Sequence, residues 1–233
     1  SEATVRRDIK ALAKEGKVEQ VLGGAVLPRT IDFSFRTKET RNIESKRIIG
    51  RLAARLVSDG DVIYLDSGTT CFAMTPFLKE KRDLSIIANS ARLALELDCP
   101  GIEVILLGGT YRPDRLDTVG PLALATLDHL RGYTAFIGAD GLGTDFGVTA
   151  GDVESAALYR LAVDHARRNI LVADHSKFLS PSLVKIVDFG AIDCVVTDRR
   201  PAGDWMEFLS SVGLEVIYPT DNEQGEVPHS ESP

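Results

Sequence analysis

The sequence predicts an α/β domain in which a mostly parallel β-sheet carries helices on both faces. From residue 62 onward, short apolar runs alternate with segments of helical periodicity. The runs are continuously apolar, which is typical of strands buried on both faces of a parallel sheet. The predicted strands are 62–65, 84–88, 102–107, 135–139, 170–173, 194–197 and 216–218. The predicted helices between them are 70–79, 91–97, 121–130, 153–168 and 205–211.

The composition is that of an ordinary globular protein. The 233 residues are 44% hydrophobic and 26% charged, which suits one large domain with a small appendage. The chain has no run of 18 apolar residues and no N-terminal signal pattern, so we expect a cytoplasmic protein with no membrane partner. Cys71, Cys99 and Cys194 form no C-x-x-C pair, and neither a metal site nor a disulfide framework is expected.

The net charge of −7 is unevenly distributed. Residues 1–29 contain six Lys or Arg and four Asp or Glu, a net charge of +2, which leaves −9 for the remainder. An acidic balance argues against nucleic-acid binding over the whole surface, but not against a basic N-terminal piece that contacts DNA.

The N-terminal piece, residues 1–29, has the pattern of a helix followed by a small hairpin. Val5, Ile9 and Leu12 form one apolar stripe that Gly16 ends, and the glycines at 23 and 24 predict the hairpin turn. This order matches the second half of a winged helix-turn-helix, whose helix enters the major groove. The alternative is a solvated charged helix. The candidate DNA-binding residues are Ser1, Thr4, Arg6, Arg7 and Lys10.

Residues 30–42 lack clean periodicity and are predicted to be a linker. A helix with an apolar stripe begins at Ile43 and is closed by Asp59 and Gly60. It opens the main domain, which we place at residues 43–219. Residues 220–233 are rich in Asp, Glu, Ser, Gly and Pro, which predicts a disordered tail.

The ends of the predicted strands carry polar residues and glycines. Ligands of parallel sheets bind beyond the carboxyl ends of the strands, so these residues are expected to meet in one crevice. The Asp66–Thr70 turn is the strongest candidate, because a strand entering a helix through such a turn presents unpaired N–H groups to an anion. The alternative is an ordinary helix cap. The candidate ligand-binding residues are Asp66, Ser67, Gly68, Thr69, Thr70, Asn89, Ser90, Gly108, Gly109, Arg112, Asp140, Gly141, Glu154 and Lys177.

Each isolated candidate also has a structural explanation. Lys177 is long enough to reach a phosphate, or it is a surface lysine. Asp140 is suited to accept hydrogen bonds from sugar hydroxyls, or it is a turn residue. Asn89 and Glu154 suit the first turns of helices, and Arg112 lies in a loop that either closes over an anion or remains mobile.

Taken together, these residues resemble the DeoR-type bacterial transcriptional repressors. The matching motifs follow the family's order as far as about Asp198. They are residues 1–9 (SEATVRRDI), 23–26 (GGAV), 65–70 (LDSGTT), 89–90 (NS), 108–109 (GG), 119–121 (VGP), 136–138 (FIG) and 174–178 (DHSKF). The resemblance implies a repressor of carbohydrate genes with a sugar-phosphate-sensing domain, no cofactor, and a homo-oligomeric state, dimer or tetramer. The helices before the recognition helix are not part of this sequence, so operator DNA is the expected partner of the full-length protein.

The family's sensing domain is similar in fold to ribose-5-phosphate isomerase, which gives an alternative function, sugar-phosphate isomerisation by enediol chemistry. Compared with that enzyme, the chain keeps the turn at 67–70, Asp140, Glu154 and Lys177. Ile137 replaces one aspartate, and residues 141–153 contain no lysine. Proton transfer between sugar carbons needs a positioned base and a group that stabilises the enediolate. The incomplete set predicts binding without turnover, and no catalytic residue is assigned.

Overall fold

A computed structural model describes residues 2–14, 19–21, 24–26 and 35–219 of the protein. Ser1, the predicted helix stop at Gly16, Gly23, the first part of the predicted linker and the predicted tail lie outside the described residues. Among the helices of the described ranges, each is too short or too polar to cross a lipid bilayer.

The elements alternate as the sequence predicts, with several additions. The α-helices are α1 (Glu2–Lys14), α2 (Phe35–Glu39), α3 (Ile43–Ala54), α4 (Thr69–Phe72), α5 (Thr75–Leu78), α6 (Ala91–Glu96), α7 (Pro121–Asp128), α8 (Val153–His165) and α9 (Gly203–Ser211). The strands are β1 (Glu19–Val21), β2 (Gly24–Val26), β3 (Val62–Leu65), β4 (Leu84–Ala88), β5 (Ile102–Leu106), β6 (Thr110–Arg112), β7 (Asp117–Val119), β8 (Thr134–Ile137), β9 (Gly141–Gly143), β10 (Gly147–Ala150), β11 (Arg168–Val172), β12 (Val184–Val187), β13 (Cys194–Val196) and β14 (Glu215–Ile217). Short 3₁₀ helices cover His175–Leu179 and Phe189–Ala191.

The seven predicted strands form one parallel sheet, and this prediction is confirmed. Its strand order is β14-β13-β11-β8-β3-β4-β5. Successive residues of each strand enter opposite layers of the core, as in β3, where Tyr64 packs on one face and Ile63 and Leu65 on the other. Helices α7, α8 and α9 cover the first face, and helices α3 to α6 cover the second. The central strands β11, β8 and β3 are therefore buried on both sides.

The N-terminal helix and hairpin are present, but the hairpin register differs from the prediction by one residue. Strand β1 pairs with β2 in antiparallel register, with Val21 opposite Gly24. Gly24, which the sequence placed in the turn, therefore belongs to strand β2. Adjacent glycines suit two-residue turns in either register, so the sequence alone did not fix which pair turns.

The described part of the predicted linker contains helix α2. Phe35 is buried, and its ring packs edge-on against Phe72 with 5.4 Å between the centroids. The guanidinium of Arg92 lies over both rings, 5.0 and 4.9 Å from their centroids. A five-residue helix is too short to show apolar periodicity, and contacts with residues far along the chain stabilise it.

The predicted helix at 70–79 is two short helices, α4 and α5. Pro76 has no N–H to donate to the carbonyl of Phe72, so one continuous helix would lack a hydrogen bond at that point. Helix α3 packs closely against this break, because a Cβ on Gly50 would lie 2.2 Å from the carbonyl oxygen of Ala73. The close contact fixes the position of α4, which follows the Asp66–Thr70 turn.

Two small antiparallel sheets were not predicted. Strands β6 and β7 form a hairpin, and β12, β10 and β9 form a three-stranded sheet. These short strands contain several glycines and polar residues, so they lack the continuous apolar pattern that reveals a buried parallel strand. Both lie beside the carboxyl ends of the main strands and shape the candidate site.

Candidate functional site

A cavity of about 650 Å³ opens at the carboxyl ends of three neighbouring strands, β3, β8 and β11. Its polar and charged lining comes from five segments of the described chain. These residues are Lys38, Arg41, Asn42 and Lys46; Asp66, Ser67, Thr69 and Thr70; Arg115 and Asp117; Asp140, Thr149, Ser155 and Tyr159; and Asp174, Ser176, Lys177, Ser180 and Ser182. Most of the residues that line the cavity are therefore polar or charged.

The structure brings one half of the predicted site together. Residues 66–70, Asp140 and Lys177 all line this cavity. They come from the ends of β3, β8 and β11, which are adjacent in the sheet. Thr69 and Lys177, which lie more than 100 residues apart in the sequence, therefore face the same space.

The ends of β4 and β5 do not reach the cavity, and the expectation that all five strand ends meet is wrong. The β6–β7 hairpin covers these ends: the amide of Asn89 donates to the carbonyl of Thr118 at 3.0 Å, and the Thr118 hydroxyl donates to the carbonyl of Leu107 at 2.6 Å. Ser90 caps helix α6. Gly109 lies against the β7 carbonyl of Val119, and Gly108 is likewise absent from the cavity wall.

Arg112, Gly141 and Glu154 are also outside the cavity wall. The guanidinium of Arg112 holds Asp117 through two bonds of 2.8 and 2.7 Å, so it does not close over the opening. Gly141 lies under the backbone of Ser180, whose carbonyl oxygen would be 2.2 Å from an added Cβ. The Glu154 side chain is 56% exposed, and one carboxylate oxygen lies 3.8 Å from Arg112.

The carboxylate of Asp66 holds the cavity floor together through main-chain N–H groups. One oxygen accepts the N–H of Gly68 at 2.7 Å and the other accepts the N–H of Gly138 at 2.5 Å. Asp66 thereby ties the turn after β3 to the end of β8. Burial raises the pKa of this carboxyl, although both N–H bonds oppose the shift.

A second buried network fixes the wall beside this turn. The hydroxyl of Ser67 donates to Asp117 at 2.9 Å and lies 3.0 Å from the hydroxyl of Tyr159. Arg112 pairs with both Asp117 and Asp152, and Arg115 pairs with Asp152 at 2.5 Å. Ser67 is therefore already hydrogen-bonded inside the protein, which leaves Thr69 and Thr70 as the hydroxyls of the turn available to a ligand.

The opposite wall is cationic, and sequence reasoning missed most of it. Lys38 comes from helix α2, Arg41 from the turn that follows it, and Lys46 from the first turn of α3. The signal was present as a concentration of basic residues in 36–47 of an otherwise acidic chain. Residues 36–42 fall in the predicted linker, and Lys46 falls in the predicted helix that begins at Ile43, so neither was linked to the strand ends.

The cations of this wall influence one another. Lys46 is 6% exposed, and its ammonium donates to the carbonyls of Lys38 and, at 2.7 Å, Arg41. Burial lowers the pKa of Lys46 to about 8; Asp174 opposes this shift, and Lys177, Lys38 and Arg41 add to it. A cluster whose positive charges are partly uncompensated is favourable for an anion.

Asp140 is the charged acceptor within the cavity. One oxygen pairs with the Lys38 ammonium at 2.5 Å, and the other accepts the N–H of Gly151 at 2.7 Å. Burial by itself would raise the pKa of this carboxyl, but Lys38 and Gly151 lower it below its usual range. In the described ranges, no group of three or more His, Cys, Asp or Glu is arranged to hold a metal ion.

The chain matches two family models. Residues 41–199 match the DeoR C-terminal sensor domain, and residues 1–30 match the DeoR-like helix-turn-helix domain. The HTH-type transcriptional regulator GlpR of Haloferax volcanii is 32% identical over 219 residues, 93% of this chain and 86% of that protein. The HTH-type transcriptional repressor GlcR of Bacillus subtilis is 34% identical over 230 residues, 97% and 87% of the two chains.

Among solved structures, ribose 5-phosphate isomerase A from Methanocaldococcus jannaschii is similar with a TM-score of 0.43 and 20% identity. The similarity covers 59% of this chain and 55% of that one.

Asp66→Asn is expected to destabilise the protein by about 1–3 kcal/mol, because an amide accepts only one of the two N–H bonds and turns a donor toward the other. Relief of the buried charge offsets part of this cost. The free energy of unfolding from urea titration measures the effect. Asp98→Asn at an exposed position serves as the control. Equal stability of the two variants would show that the two hydrogen bonds accepted by Asp66 do not stabilise the turn.

Lys46 is expected to make stability rise with pH between about 8 and its ordinary value of 10.5. Below pH 8 both the folded and unfolded states carry the proton, and the full cost of burying the charge is present. Above pH 8 the folded state loses the proton first, so unfolding takes one up, and stability rises by at most about 1.4 kcal/mol per pH unit.

The measurement is the difference in unfolding free energy between the wild type and Lys46→Met across this pH range. Subtraction removes the tyrosines and cysteines that titrate in the same window. A difference that stays constant with pH would contradict the prediction.

Proposed function

This chain belongs to the DeoR family of helix-turn-helix transcriptional regulators, and from that premise we propose that it represses carbohydrate genes under control of a phosphorylated sugar bound in the cavity at β3, β8 and β11. The single observation that carries the proposal is the meeting of an N–H-rich turn with a cationic wall and a carboxylate acceptor in one space. Those three features match the phosphate and the hydroxyls of one small molecule.

The phosphate end is supported by residues 68–70 and Lys177. Helix α4 begins at Thr69, and its first N–H groups have no partner within the helix. The hydroxyls of Thr69 and Thr70 add donors, and Lys177 supplies a positive charge from the 3₁₀ helix after β11. Charge-assisted hydrogen bonds of this kind are stronger than neutral ones.

The sugar end is supported by Asp140. Its carboxylate faces the cavity between Lys38 and Gly151, and its lowered pKa keeps it ionised as an acceptor for hydroxyl groups. The cavity volume of about 650 Å³ lies within the range of small-molecule sites. A monosaccharide phosphate fits both the size and the polarity of this space.

The DNA-binding role is assigned to helix α1. Thr4, Arg6, Arg7 and Lys10 are exposed on it, and the candidate Ser1 lies outside the described residues. In a winged helix-turn-helix this helix enters the major groove, while basic side chains also contact phosphates. We propose that effector binding shifts an oligomer toward an arrangement whose paired helices no longer match the operator half-sites.

The relatives support regulation over catalysis, since they are named transcriptional regulators and repressors. Isomerisation would require a base at the sugar, and Glu154, the glutamate that the chain keeps in comparison with the isomerase, is exposed outside the cavity wall. No separate observation favours the isomerase alternative.

Lys177→Met is expected to weaken sugar-phosphate binding by roughly 10- to 100-fold, because a hydrogen bond to a charged group contributes about 1.5–3 kcal/mol. Calorimetry with glucose 6-phosphate, fructose 6-phosphate, fructose 1-phosphate and ribose 5-phosphate measures the affinity. The matched control is Lys79→Met, whose ammonium pairs with Glu96 on the surface. The proposal fails if none of these probes binds, or if the unphosphorylated sugars bind equally well.

Arg7→Ala in the full-length protein is expected to weaken operator binding about tenfold or more, since losing an arginine contact to DNA costs roughly 1–3 kcal/mol. The measurement is fluorescence anisotropy with DNA selected by the protein from a random pool. Arg200→Ala, at an exposed position of the sensor domain, is the control. Unchanged affinity at physiological salt would argue against α1 as the recognition helix.

A further inference from the structure

Helix α2 and the first turn of α3, residues 35–46, form a corner that closes one side of the cavity. We propose that this corner is an effector-operated strap: Lys38, which pairs with Asp140, transfers to the anion of a bound effector and releases Asp140 to the effector's hydroxyls. The inference rests on the proposed function and adds the route by which occupancy of the cavity is passed toward the DNA-binding segment.

The polar attachments of the corner lead to residues that line the cavity. Lys38 pairs with Asp140 at 2.5 Å. The amide of Asn42 donates to Asp174 at 3.1 Å and to Ser176 at 3.3 Å. Asn42 itself has a φ of 51°, so the chain turns sharply there between α2 and α3. A ligand in the cavity thus meets the same groups that hold the corner in place.

The outer attachments of the corner do not depend on the cationic wall. The N–H of Phe35 donates to the carbonyl of Asp114 at 2.9 Å, and the ring of Phe35 packs on Phe72. Glu39 pairs with Arg92 at 2.9 Å, and Arg92 also stacks over both rings. These contacts act as a pivot about which the side carrying Lys38 and Arg41 can move toward a ligand.

Electrostatics favour the exchange of partners. Lys38 lies among Arg41, Lys46 and Lys177, and this crowding contributes to lowering the pKa of Lys46. A phosphate dianion carries more charge than one carboxylate and relieves the repulsion within the whole cluster. Asp140, once released, stays next to the N–H of Gly151 and accepts from hydroxyl groups instead.

The corner is well placed to pass on this change. It is the first described segment after the β1–β2 hairpin, which ends at Val26. The effector holds the corner more firmly than Asp140 does. Its binding therefore changes the anchor from which the DNA-binding segment extends. By linkage, operator binding must then weaken effector binding by the same factor by which effector weakens operator binding.

Hydrogen exchange of the backbone amides of residues 36–46 tests the strap in the intact protein. The probe is whichever of the four sugar phosphates above binds most tightly, at saturation. We expect exchange in this segment to slow by at least about fivefold, the lower end of typical coupling between sites. In Lys38→Met the probe should still bind, more weakly, and the slowing should be lost. Lys38→Arg, which retains the charge, should restore it, and Lys79→Met should behave as the wild type.

The outcomes separate the strap from the function on which it rests. If none of the probes binds the wild type, the proposed function fails and the strap fails with it. If a probe binds and protects residues 68–70 while the exchange of 36–46 is unchanged, the function stands and the strap is wrong. If Lys38→Met shows the full slowing, the exchange of partners at Lys38 is wrong.

Discussion

The buried carboxylate of Asp66 is the constraint on which the candidate site depends. It accepts main-chain N–H groups from Gly68 and Gly138, so the ends of β3 and β8 are held at a fixed separation. Both oxygens are occupied, which aims the carboxylate at the backbone and leaves the turn to present its remaining N–H groups outward. The geometry of the turn is therefore fixed by contacts within the protein, so a ligand of the kind proposed above does not have to order the turn.

Around this floor, some charged side chains are paired with each other beside the cavity, and others face the cavity. Arg112, which lies outside the cavity wall, pairs with Asp117, and Ser67 is bonded to the same carboxylate. Lys38 and Asp140 form a pair inside the cavity itself, and both face the space that we assign to the effector. A chain with a net charge of −7 thus builds a locally cationic wall from one short segment. Overall charge gave no indication of it, because electrostatic recognition depends on local arrangement.

The sequence predicted the main sheet well because its strands are buried on both faces and so are continuously apolar. Half of the candidate residues, 66–70, Asp140 and Lys177, line the cavity, since they follow three adjacent strands. Strand order is not encoded locally, so nothing in the sequence showed that the unpredicted β6–β7 hairpin covers Asn89 and Gly109. Helix α2 escaped prediction because its stability comes from Phe72 and Arg92, which are distant in the chain.

The state of the carboxylates explains why this cavity suits binding over turnover. A general base works best when its pKa lies near the working pH and its oxygen reaches the substrate. Asp66 has a raised pKa, but both oxygens accept main-chain N–H groups beneath the turn. Asp140 reaches the cavity, but Lys38, the N–H of Gly151 and Lys177 lower its pKa. The N–H of Gly151 stays in place when Lys38 pairs with an effector, so Asp140 is a weak base. Asp140, the accessible carboxylate, is thus a poor proton acceptor, and Asp66, whose pKa is raised, is buried beneath the turn. This arrangement suits the recognition of hydroxyl groups without the removal of a proton from carbon.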